Sequence, residues 1–151
     1  MKALAAPGTS LRCRSDMATL TLIRGLPGAG KSTYAKQHFD CLILENDMWH
    51  VEDGCYNWTK DKLQAALKWV YKTAELMLEN GKDVCIANTF TRKAFINSYK
   101  LLAEKHHARF NVIRLETQFK SVHAVPDEVV KSMKDSFEDW PGEVIISQHE
   151  A

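Results

Sequence analysis

The sequence predicts an α/β fold: a five-stranded, mostly parallel sheet with helices on both faces. Three observations carry that expectation. An alternating, β-branched run at 19–23 (TLTLI) leads directly into the glycine-rich string GLPGAGKST at 25–33, and a helix-like stretch follows. Further along, short apolar runs alternate with stretches whose apolar residues recur every three to four positions. That alternation is the pattern of parallel strands joined by crossover helices. The chain has 151 residues, 45% hydrophobic and 26% charged, which suits one domain with a sizeable core.

The elements follow in order. The first strand covers 19–23, and the first helix continues from Ser32 to His38. The apolar run 41–44 (CLIL) is the second strand. Over 60–80, Leu63, Ala66, Leu67, Val70, Tyr71, Ala74, Met77 and Leu78 share one helical face, with Thr59 as the cap in front and Gly81 as the stop behind. Residues 83–87 (DVCIA) form the third strand. A helix over 91–106 follows, with Phe95, Ile96, Tyr99, Leu102 and Ala103 inward, and then a fourth strand over 110–115. Pro126, suited to a first helical turn, opens a helix whose face is Val129, Val130, Met133 and Phe137; residues 143–147 supply the fifth strand. Met17 stands just before the first strand, so we expect residues 1–16 to be a disordered leader or an upstream start, with a single domain over 17–151.

Composition narrows the class. The formal net charge is +1, so no global field draws the chain to nucleic acid or to a membrane, although a local basic groove stays open. No apolar run approaches the ~20 residues of a membrane span. The four cysteines (Cys13, Cys41, Cys55, Cys85) have no C-x-x-C spacing, and the six histidines have no metal-ligand spacing. Reduced thiols and a cytoplasmic location are expected.

The string at 25–33 satisfies G-x-x-x-x-G-K-[ST]: Gly25, Leu26, Pro27, Gly28, Ala29, Gly30, Lys31, Ser32, with Thr33 continuing the helix. Glycines let successive backbone N–H groups converge on a phosphate. The Lys31 ammonium reaches the β/γ oxygens, and the Ser32 hydroxyl is a hard oxygen ligand for Mg²⁺. The helix that follows turns the positive end of its dipole toward the same anion. The motif therefore predicts ATP and Mg²⁺ as the cofactors, in a P-loop NTPase three-layer fold of the adenylate-kinase-like type.

Ligands of open parallel sheets sit beyond the carboxyl ends of the strands, which directs attention to 45–50, 88–92 and 116–125. Asp47 follows the second strand, where a carboxylate could take the proton of an attacking hydroxyl; a turn aspartate is the alternative. Glu45 is a weaker candidate in the same turn. Asn88 and Thr89 end the third strand, as acceptor or metal-water partners or as a helix-capping pair. Arg92 lies at the same rim and could hold an acceptor phosphate in a fork. In the lid-like segment 116–125, only Lys120 and His123 are available to neutralise charge. Trp49 and Trp58 are candidates for stacking on a base, whereas Trp69 reads as core.

Residues 19–133 resemble the kinase domain of bacteriophage-type polynucleotide 5′-hydroxyl kinase and its ATP-binding relatives. The resemblance rests on GLPGAGKST, on Glu45-Asn46-Asp47 after the second strand, on Ala87-Asn88-Thr89 after the third, and on VPDEVVKSM at 125–133. It implies that Lys31 and Ser32 hold phosphates and metal, that Asp47 is the general base, and that Asn88 and Thr89 help bind the acceptor. Three positions depart from the family pattern: His50 stands in place of an arginine, Asn88 in place of an aspartate, and the lid has no arginine. A kinase acting on a nucleic acid 5′-hydroxyl is the leading expectation. A kinase for a nucleoside or other small molecule, and an ATP-binding regulatory module without efficient transfer, are the alternatives.

Overall fold

The computed structural model describes residues 17–26, 28–45, 51–52, 55–56, 60–116 and 127–147. Its elements are β1 (Thr19–Arg24), α1 (Lys31–His38), β2 (Leu42–Leu44), β3 (Val51–Glu52), β4 (Cys55–Tyr56), α2 (Lys60–Glu79), β5 (Val84–Asn88), α3 (Lys93–Lys105), β6 (Arg109–Leu115), α4 (Asp127–Asp135) and β7 (Val144–Ile146). Five strands form one sheet in the order β2-β5-β1-β6-β7, and every pairing in it is parallel. The first strand in sequence thus becomes the central strand, flanked by β5 in the register Leu22↔Ile86 and by β6 in the register Leu22↔Val112. A strand buried on both faces needs apolar residues facing both ways, and Leu20, Leu22 and Ile23 are completely buried. The edges are looser: Leu42 on β2 and Val144 and Ile145 on β7 are exposed.

Alternation along β1 divides the core into two layers. Ile23 joins Ala29, Ala35, Cys85, Ala87 and Leu115 on the α1 side. Leu20 and Leu22 join Leu44, Val70, Ala74, Leu78, Ile86, Ile96 and Leu102 on the side covered by α2 and α3. Each layer is continuous because parallel strands send consecutive side chains to opposite faces. Of the expected α2 stripe, Ala66, Val70, Ala74 and Leu78 are buried and Tyr71 and Met77 pack at the margin, as does Trp69; the side chain of Leu63 lies outside the described residues. Helix α2 ends in a Schellman motif, with Gly81 N–H donating to Leu78 O at 3.0 Å and Lys82 N–H to Met77 O at 2.9 Å. Cys85 is buried and Cys41 half-buried, both as free thiols, and burial pushes the Cys85 thiol up to about 12.

Four details differ from expectation. Phe95 was expected to face inward but is 48% exposed, because Ile96 and Tyr99 already fill that side of α3. Helix α3 begins at Lys93 rather than at 91, for a reason given below. Phe137 lies past the end of α4 rather than on its face. The antiparallel pair β3–β4, with Val51 opposite Tyr56 and Glu52 opposite Cys55, was not anticipated. Its signal was Asp53-Gly54, the dipeptide that two-residue hairpin turns favour. Residues 1–16 lie outside the described residues. Among the described residues, no helix is long and apolar enough to cross a membrane.

Candidate active site

The glycine-rich string sits where the topology places ligands, between the carboxyl end of central β1 and the start of α1. Gly25 is required by close approach: a Cβ there would lie 2.9 Å from Leu115 O and 3.0 Å from Ala29 Cβ. Gly28 and Gly30 adopt φ of 88° and 81°, a region that side-chain-bearing residues seldom enter. A turn bond from Ala29 N–H to Leu26 O at 3.0 Å closes the loop. Helix α1 starts at Lys31 with left-handed Gly30 as its cap, has no side-chain cap, and carries no acidic residue in its first turn. This is how a helix N-terminus takes an external anion, since its first N–H groups have no intrahelical acceptor.

Lys31 folds back over the loop, its Nζ donating to Gly25 O and to Leu26 O, each at 3.1 Å. The Ser32 hydroxyl hydrogen-bonds the Glu45 carboxylate, which stands immediately after β2. The fold therefore joins the first and second strand ends through Ser32 and Glu45, residues thirteen positions apart. A hydroxyl beside a carboxylate is an all-oxygen, hard donor pair of the type Mg²⁺ takes, so the residues present fit that ion. Glu45, the weaker candidate in sequence, is thus the carboxylate that stands on the Ser32 hydroxyl. Asp47, Trp49, His50, Trp58, Lys120, His123 and Pro27 lie outside the described residues.

The third strand end is placed differently from the loop. Asn88, paired in register with Arg24, is 9% exposed on the face shared with Ile86. Thr89 is half-buried and Arg92 exposed. Arg92 occupies the cap position of α3 without a side-chain bond. The Lys93 N–H instead donates to Glu138 Oε1 at 2.8 Å, a cap supplied from 45 residues downstream. Tertiary capping of this kind explains why α3 starts two residues late.

Arg24 was missed in sequence, where it reads as the polar end of a strand. It is completely buried. Its Nη1 donates to Glu143 Oε1 at 2.8 Å, and its Nε and Nη2 donate to Phe90 O at 3.1 and 2.8 Å. Nη2 also donates to Glu138 O at 2.5 Å. Burial lowers the affinity of Arg24 for its proton, and the hydrogen bond to Glu143 opposes that shift; a guanidinium stays charged throughout. Arg114, its register partner on β6, donates to Asp139 at 2.5 Å and to Glu143 at 3.3 Å. Both guanidiniums lie over the Phe137 ring, at 4.1 and 4.6 Å from its centroid.

Known proteins share this fold. The family model described as an AAA domain matches residues 20–140. The uncharacterized protein PM0531 of Pasteurella multocida (strain Pm70) is 33% identical over 134 residues, covering 78% of this chain and 75% of that protein. Among solved structures, Chaetomium thermophilum Kti12 in complex with ADP-AlF3 is similar with a TM-score of 0.63 at 13% identity, over 85% of this chain and 88% of that one. A gluconokinase from Sinorhizobium meliloti 1021 is similar with a TM-score of 0.58 at 13% identity, over 89% and 83% of the two chains. At these identities the likeness is one of fold, and the fold is that of the P-loop kinases.

Proposed function

The chain belongs to the AAA domain family, and we propose that within it this protein is an ATP- and Mg²⁺-dependent kinase that moves the γ-phosphoryl group onto a hydroxyl. The observation that carries this is the convergence of Lys31, Ser32 and Glu45 on one phosphate loop at the carboxyl edge of the sheet. The Lys31 ammonium exchanges its two carbonyl acceptors for the stronger, charged β/γ oxygens. Ser32 and Glu45 would hold the metal, and the Glu45 charge would supply what Asn88 lacks. When bound, Mg²⁺ neutralises charge on the phosphate oxygens.

Transfer then requires a base. Asp47, two residues beyond Glu45, takes the hydroxyl proton as the acceptor oxygen bonds to the γ-phosphorus. The bond from that phosphorus to the β,γ-bridging oxygen breaks, and ADP leaves. His50, Asn88, Thr89 and Arg92 serve the acceptor side, and Lys120 and His123 the lid. The acceptor we propose is the 5′-hydroxyl of a nucleic acid end, supported by the Glu45-Asn46-Asp47 and Ala87-Asn88-Thr89 segments. A small-molecule hydroxyl is the second reading, favoured by the net charge of +1 and by the similarity to a gluconokinase.

Labelling with γ-labelled ATP decides among these. Incubation with 5′-hydroxyl oligonucleotides, nucleosides and sugars in parallel should label the oligonucleotide ends. Label only on a small molecule selects the second reading. ATP binding with no transfer to any acceptor leaves a regulatory nucleotide-binding module. Lys31→Ala should reduce transfer by about 10²–10³-fold, the effect of removing one preorganised charge-stabilising donor. Transfer that survives Asp47→Ala unchanged removes Asp47 from the mechanism.

A further inference from the structure

The residue immediately before the phosphate loop does something the motif does not call for. Burying a guanidinium is costly unless its donors are matched, and an aliphatic residue would fill the end of β1 more cheaply. Arg24 is nonetheless fully buried, and two of its bonds converge on one backbone atom, the carbonyl oxygen of Phe90, at 3.1 and 2.8 Å. Phe90 has φ of 44°, a left-handed conformation that a bulky residue keeps only when its surroundings enforce it. Phe90 is also held by packing, edge-on to Tyr99 with ring centroids 5.8 Å apart.

Glu138 completes the hold on the same turn. Its N–H donates to Thr91 O at 2.7 Å, its Oε1 accepts from Lys93 N–H at 2.8 Å, and its own carbonyl accepts from Arg24 Nη2 at 2.5 Å. Glu143 fixes the far side of the guanidinium at 2.8 Å and is itself anchored, accepting from Trp140 N–H at 3.0 Å and from Arg114 at 3.3 Å. The turn therefore cannot shift without breaking bonds to a side chain whose backbone leads directly into Gly25. Thr89 and Arg92, two of the acceptor-side residues, lie on or beside this turn.

We infer that Arg24 is a positioning residue, whose guanidinium, braced by Glu138 and Glu143, sets the 89–93 rim at a fixed distance from the phosphate loop and so places an acceptor hydroxyl for in-line attack. The inference rests on the kinase reading for its catalytic consequence but not for its mechanical one. Positioning of this kind matters because a misplacement of about 1 Å can cost on the order of 10²-fold in rate.

Arg24→Lys keeps a cation but loses the planar fork, and an ammonium cannot reproduce that arrangement of bonds to Phe90, Glu138 and Glu143. Glu143→Gln is the milder variant, retaining shape and one acceptor should Arg24→Lys fail to fold. Amide hydrogen exchange in the full chain should rise about tenfold or more at Lys93 and Glu138, while the amides of β1, β5 and α2 stay unchanged. Affinity for a fluorescent Mg-ATP analogue should stay within about twofold of wild type, and transfer to the wild-type acceptor should fall by about 10- to 100-fold. Unchanged exchange at Lys93 and Glu138, or a uniform rise along the chain, overturns the bracing. Unchanged transfer despite local loosening overturns the catalytic consequence alone. If wild type binds ATP but phosphorylates nothing, the kinase reading and the catalytic consequence fall together, and the exchange pattern still decides the bracing.

Discussion

Gly25→Ala is the most informative single substitution because its cost is steric and its geometry is known. The added methyl carbon would meet Leu115 O at 2.9 Å, Ala29 Cβ at 3.0 Å and Leu115 Cβ at 3.6 Å. Carbon pairs prefer about 3.5–4.0 Å, so the Ala29 contact is too short by roughly 0.5–1 Å. Neither neighbour can yield cheaply. Leu115 belongs to a strand paired on both sides, and moving Ala29 deforms the loop that must cradle a phosphate. Overpacking of this type costs about 1–3 kcal/mol; two rigid neighbours place Gly25→Ala in the upper half of that range. Thermal unfolding followed by circular dichroism should show a drop of roughly 4–12 °C, with loss of Mg-ATP binding. Gly142→Ala is the control: its φ is +85° but nothing lies within 4 Å of the added Cβ. It should cost only the left-handed backbone penalty, about 1–2 kcal/mol, and leave ATP binding intact. A Gly25→Ala protein as stable as wild type, or one that still binds Mg-ATP normally, would refute the close-approach argument.

Three further outcomes follow from the same geometry. Glu45→Gln should raise the Mg²⁺ concentration needed for half-maximal ATP binding by about 10- to 100-fold, the usual effect of losing a carboxylate that supports a metal ligand; an unchanged Mg²⁺ titration removes Glu45 from the metal site. His107 ends α3 with φ of 54°, in a Schellman arrangement with Ala108 N–H donating to Ala103 O at 2.8 Å, so His107→Gly should stabilise the fold by about 0.5–1 kcal/mol in urea denaturation. The hydrogen bonds from His106 and then Lys105 hold the Glu75 carboxyl below its ordinary value. Its contribution is therefore complete above the unfolded carboxylate pKa of about 4.3 and is lost as pH falls through the lower folded value. Glu75→Gln should flatten that part of the acid-side slope in urea titrations at successive pH values.

Much of the fold was legible because its signals are local. TLTLI before GLPGAGKST announced strand, loop and helix in sequence, and the positions 66, 70, 74 and 78 announced the buried stripe of α2. Element ends were less legible where a distant residue sets them. Arg92 at the cap position of α3 makes no side-chain cap bond, and the Lys93 N–H is held by Glu138. Phe137 resembled one more apolar position on a helical face, yet it is the ring beneath two guanidiniums. Phe95 fits the α3 periodicity and is still largely exposed, because periodicity assigns a face but not how far the neighbouring layer extends.

The candidate site divides the same way. Its phosphate-binding half is a contiguous string whose residue types are dictated by local backbone chemistry, so the linear sequence alone determined it. Which carboxylate would stand on the Ser32 hydroxyl was decided only when parallel pairing brought the end of β2 to the edge of the loop. The role of Arg24 is further from view, since its partners Phe90, Glu138 and Glu143 lie 66, 114 and 119 positions away. A buried charge is stable only where several acceptors converge on it, and convergence over such separations is a property of the folded chain rather than of any segment of it.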